Sequence, residues 1–173
     1  MIPKRVKQFY INVVDKMTEK DYDYIKEILN SKELELFMKL SKSEQKHSIR
    51  IAKDIEFSLD NKETYDEDIL KNRNVLIKSA LLHDIGKITK RLNVIDKSII
   101  VILNKLTKGK LKNIEKSKKI QCYYNHSRYG YEILKDEIKD EIKDEIILDI
   151  VRNHHNDNSN KLVNFFKQID DKN

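Results

Sequence analysis

Five histidines, His47, His83, His126, His154 and His155, carry most of the chemical information in this 173-residue chain. His83-Asp84 follows the apolar run Ser79-Ala80-Leu81-Leu82 and precedes Ile85-Gly86-Lys87, and His154-His155 stand side by side. A His-Asp pair alone says little, because 16 aspartates and five histidines produce one by chance about half the time. Its position says more. Titratable groups at the end of a buried helix cost free energy unless they are paired or bound to metal. Each histidine taken singly reads as a satisfied imidazole; as a set they read as metal ligands. Imidazole with carboxylate suits Fe, Mn, Zn, Co or Ni, whereas thiolate-selective sites need cysteines, and Cys122 is the sole cysteine. Neighbouring residues on a helix point about 100° apart, yet both can converge on an ion beyond the helix end, and Asp84 has two oxygens to share.

The elements that must position these groups read as helices. Only 3 Gly and 1 Pro interrupt the chain, so long uninterrupted helices are expected and the fold class is all-α. Residues 5–17 are ambiguous between helix and strand. Thr18 reads as an N-cap with Asp21 at the third helical position, and Ile25, Ile28 and Leu29 form a stripe at helical spacing. Ser31 opens a short amphipathic segment with Leu34, Leu36, Phe37 and Leu40 inward. Ser41-Lys42-Ser43-Glu44 is a capping box that starts a helix to about Leu59, with His47, Ile51, Ile55 and Leu59 near one face and Ile49, Ala52 and Phe57 widening the apolar side. A second long helix is expected over 69–85, ended by Gly86 in the left-handed conformation. A further helix covers 96–105, and Asn125 is expected to cap one running to Asp136. The repeat at 136–147 puts Ile138, Ile142 and Ile146 on one ridge and reads as structural. An amphipathic segment, 162–169, closes the pattern with Phe165, Phe166 and Ile169.

These residues resemble the HD superfamily of metal-dependent phosphohydrolases, whose pattern is H…HD…D with H…HH inserted in its two-metal branches, the HD-GYP phosphodiesterases among them. His47 matches the first histidine, His83-Asp84-Ile85-Gly86-Lys87 the H-D-I-G-K signature, His126-Ser127-Arg128-Tyr129-Gly130 the H-x-x-x-G element, and His154-His155 the histidine pair. Asp170 is taken as the last aspartate, with Asp171 a near alternative and Asp157 a distant one. The resemblance spans about 43–171. It implies a single-domain helical HD-type bundle over 43–173, with 1–42 as a helical extension packed on it. It also implies one metal on His47, His83, Asp84 and Asp170, and a second on His126, His154 and His155 with Asp84 bridging. Six ligating residues besides Asp84 exceed what one ion takes from protein, which also favours two metals. Asp84 and Lys87 would be the catalytic groups, with Lys87 and Arg128 placed to meet substrate phosphate. The chain departs from the HD-GYP group after His155, where it reads Asn156-Asp157-Asn158-Ser159 without Gly-Tyr-Pro. The resemblance therefore does not carry cyclic-dinucleotide specificity across.

The expected function is hydrolysis of a nucleotide or related small phosphoester by a metal-activated hydroxide, with two divalent transition-metal ions, Fe or Mn first and Zn, Co or Ni as alternatives. The competing reading is a non-catalytic metal- or nucleotide-sensing adaptor. A net charge of +6 raises nucleic acid as a partner, and lysines at 105, 108, 110, 112, 116, 118 and 119 concentrate it. No aromatics interleave with them as stacking would need, and the chain is rich in Lys, Ile and Asn throughout, so nucleic acid is not expected. The longest apolar run, Ile99-Ile100-Val101-Ile102-Leu103, is too short to span a bilayer, and the basic start is followed by no apolar stretch of signal-peptide length. The expectation is a cytoplasmic protein without a membrane partner, and one cysteine excludes an internal disulfide.

Overall fold

Local capping chemistry fixes where most helices begin. The computed structural model describes residues 16–61, 66–90, 92, 94–137, 142–157 and 159–173. Segment 5–17 lies outside these apart from its last two residues. Thr18 and Asp21 form the expected reciprocal cap of α1 (Glu19–Ile28), and Ser41 and Glu44 form that of α3 (Lys42–Asp60). The N-cap of α2 (Ser31–Met38) is Asn30, whose Oδ1 accepts from the Lys32 and Glu33 N–H groups at 3.0 and 2.9 Å. Along α3, Ile49, Ile51, Ala52, Ile55 and Leu59 are buried. Phe57 is not: it is 62% exposed and lies off the core face.

The long helix expected over 69–85 is two helices, α4 (Glu67–Lys71) and α5 (Arg73–Leu82), broken at Asn72. Asn72 donates its side-chain amide back to the Asp68 carbonyl at 2.7 Å, an Asn alternative to helix propagation. The helix ends at Leu82, and Ile85–Thr89 form a 3-10 turn. Gly86 does not adopt the left-handed conformation; among the described residues only Lys108 and Gly109 have positive φ. Its role is close approach. A Cβ on Gly86 would sit 1.8 Å from the His126 carbonyl oxygen and 2.5 Å from the Gly130 nitrogen. The two glycines are thus where the 3-10 turn presses against the next long helix, which explains both the Gly of H-D-I-G-K and that of H-x-x-x-G.

α6 (Val94–Leu106) covers the expected 96–105, and a short 3-10 turn (Lys110–Asn113) follows. α7 spans Lys118–Glu137, two turns longer at its start than expected. Asn125 lies mid-helix, its amide donating to the Gln121 carbonyl at 3.0 Å, while Ser117 Oγ accepts from the Ile120 N–H near the true start. α8 (Ile142–Asn153) buries Ile147, Ile150 and Val151. Ile138 of the repeat lies outside the described residues; Ile146 packs half-buried against the core. α9 (Lys161–Asp170) is capped by Asn160 and buries Val163, Phe166 and Ile169.

No strand occurs among the described residues. α5, apolar on nearly every side, is the central element, flanked by α3 and α8, with α9 across α3 and α8 and α7 against α8 and the 3-10 turn. Ile25, Leu29, Phe37 and Leu40 of the N-terminal helices and the loops that follow them belong to the same buried cluster. A second, smaller cluster joins Leu92, Ile100 and Leu111 with Ile120, Tyr123 and Tyr124, and seats α6 beside α7.

Candidate metal centre

Three of the five histidines are held in one way. Each ring Nδ1 lies against the main-chain carbonyl three residues earlier: His83 on Ala80 at 2.8 Å, His126 on Tyr123 at 2.9 Å and His154 on Val151 at 2.9 Å. His83 and His154 can do this because their helices end there, leaving last-turn carbonyls without an amide partner. A carbonyl only accepts, so Nδ1 carries the proton, and in the neutral ring Nε2 is left as a bare lone pair.

All three lone pairs are directed into the same small volume. His83 Nε2 lies 3.4 Å from Asp84 Oδ2, and His126 Nε2 lies 3.4 Å from Asp84 Oδ1. His155 Nε2 faces His126 Nε2 at 2.9 Å, and His47 Nε2 lies 3.3 Å from Asp170 Oδ1. Asp84 Oδ1 and His154 Nε2 are buried with no hydrogen-bond partner. Buried acceptors without a donor are an unfavourable arrangement that a cation reverses. The donor set fits divalent metal: the groups His47/His83/Asp170, His126/His154/His155 and His83/Asp84/His154 each place three ligand atoms within 4.8 Å of one another.

The electrostatics agree. Burial pushes the His126 imidazole down to about 3, with the charge of Lys87 adding to it. Burial likewise lowers His47, His154 and His155, so these rings are neutral at neutral pH, the form in which imidazole can ligate metal. Burial raises the Asp84 carboxyl, but His83, Lys87, His126 and His47 outweigh it and hold it well below the usual carboxylate range. Asp170 follows the same pattern, its burial outweighed by the hydrogen bond from His47 and the nearby His83. Lys87, ion-paired with Asp84, has its ammonium form favoured despite burial by Asp84 and then by Glu44.

A cavity of about 430 Å³ opens over this cluster, lined by His47, His83, Asp84, Lys87, His126, His155 and Asp170 and walled by Leu92, Cys122, Tyr123 and Tyr124. His154 lies beneath, its ring centroid 5.1 Å from that of His83 and 4.0 Å from that of His155. The fold thus brings together His47, His83, Asp84, Lys87, His126, His154, His155 and Asp170. Arg128 is not among them: it is exposed, with its guanidinium over the Tyr129 ring at 5.4 Å. Asp171 is exposed past the end of α9, and Asp157 pairs with Lys167 at the surface. Glu44 was legible only as a helix cap, yet its charge also acts on Lys87; its place one turn before His47 on α3 was the available signal.

A model of the HD domain matches residues 45–171, most of the chain and all of the cluster. The chain belongs to the HD domain family. No curated protein and no solved structure matches it. In this HD domain the clustered histidines and aspartates stand at the C-terminal ends of α5 and α8, in the interior of α3 and α7, and on the last turn of α9.

Proposed function

We propose that this HD-domain protein hydrolyses a phosphoester of a nucleotide or related small molecule, using two divalent transition-metal ions. His47, His83, Asp84 and Asp170 would hold one ion and His126, His154 and His155 the other, with Asp84 available to both. Fe or Mn are the first choices, and Zn, Co or Ni the alternatives. The observation that carries this reading is that the rings of His83, His126 and His154 each turn Nδ1 to a main-chain carbonyl, while His83, Asp84 and His154 on one side and His126, His154 and His155 on the other bring their ligand atoms within 4.8 Å of one another. Family membership supports it, since HD domains are metal-dependent phosphohydrolases as a superfamily.

Bound ions of this kind lower the pKa of water and neutralise phosphoryl oxygens. The chain's own groups do the rest. Asp84 presents one carboxylate oxygen to each half of the cluster. The main-chain carbonyls of Ala80, Tyr123 and Val151 lock three rings in the tautomer that ligation needs. Lys87 brings a fixed positive charge to the cavity, placed to meet a phosphate oxygen as charge builds in the transition state. Tyr124 lines the cavity, its hydroxyl buried and without a hydrogen-bond partner. Leu92 and Cys122 keep one wall apolar and limit water entry.

The test is elemental analysis of freshly purified protein paired with a phosphoester panel that includes nucleotides and phosphomonoesters. Close to two ions per chain and metal-dependent turnover are expected. Tight metal binding with no turnover across the panel makes the chain a sensing module instead. Protein that takes up no metal and cleaves nothing overturns the reading.

A further inference from the structure

Outside the metal cluster, the least satisfied surface is the outer face of α6. Ile95, Ile99, Ile102, Leu103 and Leu106 recur at helical spacing along it, and their exposures run from 40% at Leu103 to 73% at Leu106. Five aliphatic side chains in one exposed stripe are unlike the scattered apolar residues of an ordinary surface. The helix is seated from its opposite side by Ile100, which is buried with Leu92 and Leu111, so the stripe is not needed to hold α6 in place.

The stripe has a basic border. Lys105 stands on the last turn of α6, and Lys108, Lys110, Lys112, Lys116, Lys118 and Lys119 follow directly, all exposed. The acidic residues of this stretch are Asp96, which pairs with Lys119 at 2.6 Å, and Glu115. Ile114, 45% exposed, adds an apolar residue among the lysines. An aliphatic face edged by lysines is the chemistry of a helix lying in the interface of an anionic bilayer, with side chains in the acyl boundary and ammonium groups at the headgroups.

We infer that α6 and the lysine-rich turn after it form a docking surface for an anionic membrane. A second copy of the chain fits less well, because apposing two such faces brings their lysines together. Nucleic acid fits less well too, since aliphatic side chains offer no stacking surface. The surface is interfacial, because no helix among the described residues is long and apolar enough to cross a membrane. It runs counter to the expectation of no membrane partner drawn from the absence of a spanning segment, and vesicle co-sedimentation decides between them. The cluster that seats α6 also supplies Leu92, Tyr123 and Tyr124 to the cavity wall, so docking sets the cavity close to the headgroups.

The test is co-sedimentation of the full chain with phosphatidylcholine vesicles, with and without phosphatidylglycerol. Pelleting is expected only with phosphatidylglycerol and is expected to weaken as salt rises. The Ile102→Glu, Leu106→Glu double variant is expected to lower the bound fraction about tenfold, with unchanged circular dichroism and unchanged metal content. The inference is overturned by wild type that ignores phosphatidylglycerol vesicles, or by a double variant that pellets like wild type. It is also overturned by a lipid-free dimer that the double variant dissolves, which would assign the face to a second copy. Binding of an RNA oligonucleotide by wild type and variant alike, without vesicle binding, would assign the lysines to nucleic acid. Metal content and phosphoester turnover are read separately, so failure here leaves the metal-centre reading standing.

Discussion

Two sets of buried charge in this protein are built on opposite terms. Near the N-terminus, Asp21 and Glu33 are almost wholly buried, yet protein donors meet their carboxylates. Asp21 takes Lys46 at 2.7 Å, Lys53 at 3.0 Å and the Thr18 N–H at 2.9 Å; Glu33 takes Lys78 at 2.7 Å and the Asn30 N–H at 2.9 Å. In the histidine–aspartate cluster, two carboxylates and five imidazoles share a space that Lys87 also borders, and Asp84 Oδ1 and His154 Nε2 are buried with no hydrogen-bond partner. The first arrangement is closed by its own side chains and is structural. The second gathers acceptor atoms without matching donors, which is what the proposed metal centre rests on. Burial of charge is therefore no mark of function by itself; the informative feature is which atoms lack a partner.

The sharpest way to break the comparison is to remove one group from each region and titrate metal. His83→Ala and Asp84→Ala are expected to abolish metal-dependent turnover while leaving helical content nearly intact. At ion concentrations about a thousandfold above Kd, wild type should gain about 4 kcal/mol of stability, and Asp84→Ala should lose most of that gain in thermal unfolding. Asp21→Asn should retain it. If Asp84→Ala protein is stabilised by metal as strongly as wild type, the histidine–aspartate cluster is not the metal site.

Gly86→Ala comes next. The clash is with main chain rather than with a flexible side chain, so a loss of about 4 kcal/mol is expected in chemical denaturation, with or without metal. A smaller effect is expected from Asp21→Asn, about 2 kcal/mol, independent of metal. Burial raises the Asp21 carboxyl, but Lys46, Thr18 and Lys53 outweigh it and hold it well below the ordinary range. Its contribution is therefore present at neutral pH and declines as pH falls below about 4. Denaturation of wild type and Asp21→Asn as a function of pH should show their difference shrinking over that window; a constant difference would disprove the account. The smallest effect belongs to Asp157→Asn, which should change neither melting nor metal content, because its pair with Lys167 is on the surface.

Much of the cluster was legible because its parts are chemically unusual. Histidines beside aspartate after an apolar run, and a histidine pair, stand out against a Lys- and Ile-rich background. The choice of Asp170 over Asp171 also follows a readable signal: Asp170 lies four residues after Phe166 and seven after Val163, on the buried face of α9. The same geometry argues against Arg128, which stands two residues from His126 and so points about 200° around α7. Gly86 and Asn125 misled for one shared reason. Both are residues that local rules assign to helix ends, whereas Gly86 answers to the approach of α7 and Asn125 to a helix already under way.

What the sequence settled by itself was the inventory: which ligating groups exist, that thiolates are scarce, and where Thr18 and Ser41 start helices. These are properties of residue type and of spacing within a few positions, which a linear chain carries directly. Two matters were decided only in three dimensions. One is the convergence of groups from His47 to Asp170 with their lone pairs facing inward, because it depends on how five elements from distant parts of the chain are packed together. The other is that the stripe of α6 faces outward, because helical periodicity marks an apolar face without saying whether core or solvent lies against it.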